Sequence, residues 1–146
     1  MKYLFPKLLG VILIVGLSAC SSDDDTSEAI VSVNGTTLVS NGDDFNGDID
    51  GDFTGTGGST SKTFKWSNSL STADYNADIT ATASGTFRMV VKDANGTTVL
   101  DKSLNGATEP DSFSGVTSAG TAGIWSVTIF LTNFNGDGSF SLSEGT

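Results

Sequence analysis

Asp43-Asp44-Phe45-Asn46-Gly47-Asp48-Ile49-Asp50-Gly51-Asp52 is the stretch whose residue types and spacing come nearest to chemistry, because it alternates oxygen donors along the chain. Ca²⁺ takes about six to eight oxygens from a flexible backbone, which is what such a stretch offers. Aligned on an EF-hand loop, Asn46, Asp48, Asp50 and Gly51 fall at the first, third, fifth and sixth positions. The pattern then fails, since Gly57 stands where the twelfth position needs Glu. Asp44, Asn46, Asp48 and Asp50 are the ligands an irregular calcium site would use, and a solvated acidic loop is the plain alternative.

Other reactive types are scarce. The chain holds no histidine, the commonest general base and metal ligand at neutral pH. Its one thiol is Cys20. A serine or threonine nucleophile would depend on lysine or a carboxylate for activation, and Gly-x-Ser-x-Gly does not occur. Two carboxylates facing a sugar could hydrolyse a glycoside without histidine, but chain spacing does not establish such a pair. The expectation is a protein that is not an enzyme and has no cofactor beyond the calcium considered above.

Trp66 and Trp125 could stack on sugar rings, yet each lies on the apolar parity of its strand, which predicts core packing. Val90, Ile124 and Phe130 do the reverse. Each stands opposite the apolar parity of its strand, on the face a simple sandwich turns to water. If the strand Thr86 to Lys92 shares a sheet with the strand Ile124 to Asn133, Val90 and Phe130 meet there, with Arg88 and Lys92 as a polar rim. These three apolar residues are the candidate ligand-binding face. A β-bulge that flips the parity, or a hairpin laid over the face, would return them to the interior.

The amino terminus decides where such a face would be displayed. Lys2 and Lys7 precede an apolar run from Leu8 to Leu17 and the small residues Ser18-Ala19, the layout of a secretory signal. The run falls short of the roughly 20 apolar residues a membrane-spanning helix needs. Leu17-Ser18-Ala19-Cys20 resembles the lipobox of bacterial lipoproteins. That resemblance implies removal of residues 1–19, diacylation of Cys20 and acylation of the new terminus, and multiple chains hold a protein stably on a membrane. Residues 20–28 follow as an acidic tether without apolar side chains beyond Cys20. The Ser/Asp run after Cys20 is similar to the surface-export signal of Bacteroidota-type lipoproteins, which implies attachment to the outer membrane facing the cell exterior. Ser21, in place of aspartate, is by the same analogy against retention in the inner membrane.

Removing 19 of 146 residues leaves 127, enough for one domain with a core of its own. The mature chain would carry five bases against all 17 acids, a net charge of −12, which makes nucleic acid an unsuitable partner. Asn34-Gly35 between β-branched runs predicts a hairpin. The composition of 41–61, with Phe45, Ile49 and Phe53 its few apolar residues, predicts a Gly/Asp-rich loop. Beyond it, period-two alternation predicts strands through Phe64 and Trp66, through Tyr75, Ala77, Ile79, Ala81 and Ala83, and through Phe87, Met89 and Val91. Asp93-Ala94-Asn95-Gly96 turns the last of these into Thr97 to Leu104, and Phe113 and Val116 are able to dip inward from the turn-rich stretch around Pro110. Trp125, Val127, Ile129 and Leu131 mark the longest strand, and Phe134-Asn135-Gly136-Asp137-Gly138 predicts a hairpin into Ser139 to Ser143.

Seven to nine short strands over residues 29–146 predict an all-β fold, a single antiparallel β-sandwich, jelly-roll or immunoglobulin-like. Gly123-Ile124-Trp125-Ser126-Val127 with Gly136-Asp137-Gly138-Ser139-Phe140 resembles the closing hairpin of small jelly-roll modules on secreted bacterial proteins. The functional expectation is a lipid-anchored surface module that binds a glycan or a protein, or plays a structural part. The alternative is a non-catalytic accessory or inhibitor of a partner hydrolase.

Overall fold

The computed structural model describes residues 26–145. The signal segment, Cys20 and the start of the tether lie outside the described residues. Nine strands follow in order: β1 (Ala29–Val33), β2 (Thr36–Thr37), β3 (Asp44–Phe45), β4 (Ile49–Asn68), β5 (Ala73–Ile79), β6 (Ser84–Lys92), β7 (Thr98–Asn105), β8 (Ser112–Val116) and β9 (Gly123–Glu144). The fold is all-β, and among the described residues there is no helix. Every pairing is antiparallel except the two-residue parallel match of β3 on β4.

Two strands, β4 and β9, are 20 and 22 residues long and pair with each other over nearly their whole length. Their register slips at Thr56, Gly58 and Thr60, and β9 turns through Asn133 and Gly136, both at positive φ. On one side of this bend the order is β2-β1-β4-β9-β5-β8; on the other it is β3-β4-β9-β6-β7. The one sheet thereby makes two layers whose inner faces meet. Phe53 of the first layer stacks on Phe87 of the second at 4.4 Å and 10°, and Phe140 lies 6.4 Å from Phe64 and 6.3 Å from Phe87. Trp66 and Trp125 meet edge to face at 5.9 Å, both fully buried. Their indole N–H groups donate to the carbonyls of Gly47 and Thr121, satisfying donors that burial would otherwise orphan.

The hairpin at Asn34-Gly35 forms with both residues at positive φ and joins β1 to β2. The core parities of β6 and of the first half of β9 hold residue by residue. Several expectations fail. Residues 41–61 are not a loop, because Ile49 to Ser61 runs through the centre of the sheet as β4. The alternation was hidden because glycine stands at inward positions, where Phe140 fills the space over Gly51 and Phe53 the space over Gly138, each pair facing across the β4–β9 ladder. The hairpin at Phe134 to Gly138 is not there either: the chain bends and continues as β9, its turn-type residues serving the corner between layers. The jelly-roll likeness drawn from that segment therefore describes a single strand. Val116 and Ala81 also face water instead of the core.

Candidate binding face

The outer faces of the two layers differ in charge because of which residues each strand turns outward. On the first layer, Asp52 pairs with Ser139, Ser139 with Asp78 and Asp78 with Ser112. Asp50, Asp74 and Asp137 share that face by the same two-residue period. No Lys or Arg occurs in β1, β2, β5 or β8, nor in the stretches of β4 and β9 that pair with each other on this side of the bend, Ile49–Gly55 and Gly136–Leu142. On the second layer, Lys65 pairs with Ser126 and Ser126 with Lys92, which sets the two lysines on one row about 10 Å apart, two strand spacings. Asp44 stands opposite Lys65 on β3.

Beside that row, Arg88 faces Phe130 directly across β6 and β9, its guanidinium 5.4 Å from the ring centre. The same guanidinium grips Asp101 of β7 with two bonds, Nε to Oδ1 at 2.7 Å and Nη2 to Oδ2 at 2.6 Å. This hydrogen bonding, with the opposite charge, holds the Asp101 carboxyl below the usual carboxylate range and raises the Arg88 value. The pair cancels its own charge, which leaves Lys92 and Lys65, the latter with Asp44 opposite it, as the remaining charges of this face. Among the described residues neither forms an ion pair.

The structure brings Val90 and Phe130 together, as expected for strands sharing a sheet: Val90 pairs with Thr128, two residues from Phe130 on the same face, and both are half-buried. Arg88 lies over Phe130 and not at its rim. Ile124 is not part of this patch. It is 57% exposed and lies about 20 Å along β9 from Phe130, with Ser126 and Thr128 between. It lines instead a shallow cleft of about 330 Å³ with Asp44, Phe45, Asn46, Lys65, Trp66 and Ser67.

Of the four residues expected to hold calcium, Asp44 and Asn46 reach that cleft. Asp48 and Asp50 sit with Asn34, whose amide donates to the Asp48 carbonyl and whose oxygen accepts the Asp50 N–H. Among the described residues no three acidic side chains gather as a metal ligand set. The alternation of acids follows from strand period, since Asp50 and Asp52 are outward positions of β4 between Ile49, Gly51 and Phe53.

Ser59-Thr60-Ser61-Lys62 has the Ser-x-x-Lys spacing used by some serine nucleophiles. In β4 the two side chains are tied to different groups. Ser59 Oγ accepts the Asn133 N–H at 2.8 Å, while Lys62 Nζ donates to the Val39 carbonyl at 2.7 Å. Lys65 escaped notice in the sequence, although it lies off the core parity of Phe64 and Trp66; only register shows that it shares a row with Lys92. Compared with known proteins, the chain matches no family model, no curated protein and no solved structure.

Proposed function

We propose that this chain is a lipid-anchored, surface-displayed β-sandwich that binds and does not catalyse, and that its contact surface is the outer face of the second layer. The observation that carries the reading is charge segregation in an acidic protein: three of the five bases beyond the signal segment, Lys65, Arg88 and Lys92, lie on the one outer face that also bears Phe130 and Val90. Such a face suits an acidic protein surface, with a half-buried aromatic as anchor and lysines to steer the encounter. Glycan stacking has less support, because Phe130 is capped by Arg88 and both tryptophans are buried.

The non-catalytic part of the reading rests on the sequence, which has no histidine and Cys20 as its one thiol. Attachment through Cys20 to the outer membrane rests on Leu17-Ser18-Ala19-Cys20 and the Ser/Asp run.

Site-specific photo-crosslinking on intact cells tests the face. A photoreactive residue at Val90 is expected to capture a discrete protein adduct, and one at Asn76, on the opposite face, to capture none. Adducts at Asn76 with none at Val90 would defeat the proposal.

A further inference from the structure

The chain contains six Asn-Gly pairs: Asn34-Gly35, Asn41-Gly42, Asn46-Gly47, Asn95-Gly96, Asn105-Gly106 and Asn135-Gly136. Glycine leaves its own nitrogen unshielded, so an Asn side chain followed by Gly is the usual place for the backbone to attack an amide. A fold suppresses the attack when it binds the side-chain amide, binds the following N–H, or fixes the backbone between paired strands.

Five pairs are held in one of these ways. Asn34 is bound at both amide atoms, to the Asp48 carbonyl and the Asp50 N–H. Asn41 accepts from the Thr63 N–H while Gly42 donates to the Thr63 carbonyl. Asn95 donates to Thr121 Oγ1 while Gly96 donates to the Asp93 carbonyl. Asn105 accepts from Thr86 Oγ1 while Gly106 donates to the Gly85 carbonyl. Asn135 and Gly136 lie within β9, Asn135 paired with both Thr56 and Ser84.

The sixth pair differs. Asn46 and Gly47 lie between β3 and β4, outside any strand, and both are exposed. Among the described residues neither the Asn46 amide nor the Gly47 N–H makes a hydrogen bond, and a Cβ built on Gly47, at φ 73°, would meet nothing.

We propose that Asn46 is the chain's site of spontaneous deamidation. The Gly47 nitrogen attacks the Asn46 side-chain carbonyl carbon and forms a succinimide, and the displaced amide nitrogen leaves as ammonia with the proton from the Gly47 N–H. Water then adds to either succinimide carbonyl and breaks its bond to that nitrogen, yielding aspartate or isoaspartate. The product places a new carboxylate on the cleft that Lys65 and Asp44 line. The isoaspartate form also inserts a carbon into the backbone just before Gly47, whose carbonyl accepts the Trp66 indole N–H.

The purified full chain, aged at mildly alkaline pH and read by peptide mapping with isoaspartate detection, tests this in two arms. In the folded protein, Asn46 is expected to convert on the order of tenfold or more faster than each of the other five, the fold-change of one or two net hydrogen bonds. In concentrated urea the six rates should converge. A second pair converting as fast as Asn46 in the folded state would overturn the proposal. So would the same ranking in urea, since local sequence and not the fold would then set the rates.

Discussion

Phe140 lays its ring across the bare backbone of Gly51, its partner on the neighbouring strand, and a Cβ at Gly51 would lie inside that ring. Phe53 does the same over Gly138 two residues further along the ladder. The reciprocal pair turns two glycines into sockets in the middle of the sheet, and from them the rings reach Phe87 and Phe64 of the other layer.

Gly51→Ala is therefore expected to destabilise the fold by about 1–3 kcal/mol through overpacking. Phe140→Ala should cost about 3–5 kcal/mol through the cavity it leaves. The double variant should lose clearly less than the sum, because each change removes the other's conflict. Urea denaturation of the three variants measures this, and strict additivity would contradict the socket geometry.

Asp93 organises the β6–β7 connection: Oδ1 accepts the Asn95 and Thr97 N–H groups, and Oδ2 accepts that of Thr121. The Thr121 bond leads in holding its value below the ordinary range. The unfolded chain then takes up the proton first, so this stabilisation is full above the unfolded carboxylate value of about 4 and is lost as pH falls through the lower folded value. Melting temperature measured against pH should drop in that window, and Asp93→Asn should melt lower at neutral pH with a shallower acid slope.

Phe130 and Phe87 give a contrast between face and core. Phe87→Ser removes a fully buried ring and should cost about 3 kcal/mol or more. Phe130→Ser removes a half-buried ring and its contact with Arg88, and should cost about 1 kcal/mol. Thermal melts of both variants decide it; equal losses would make Phe130 a core residue.

Cys20→Ala should abolish membrane attachment, because the thiol is the only acceptor for the diacylglycerol that the Leu17-Ser18-Ala19-Cys20 resemblance implies. Fractionation with an alkaline wash reads the result. A variant that still sediments with membranes would count against the anchor.

What could be read in the sequence were the strands whose inward positions carry large side chains: Phe64 and Trp66, Phe87 to Val91, Trp125 to Leu131. The first half of β4 could not, because Gly51 borrows its inward bulk from Phe140, a residue 89 positions away that only register brings near. The corner of β9 was equally opaque, since Asn135-Gly136-Asp137-Gly138 suits a hairpin and a bend alike. Val90 and Phe130 were legible by parity. The row of Lys65 and Lys92 was not, because parity names a face but does not align one strand with the next.

Since β4 and β9 belong to both layers, neither layer has a boundary along which it could open while the other stays closed. Hydrogen exchange should accordingly find a single protected unit, its slowest amides on these two strands, with only the short outer strands β2, β3 and β8 exchanging ahead of it. A protein so built should resist partial opening, and with it the half-unfolded forms on which proteases and aggregation feed.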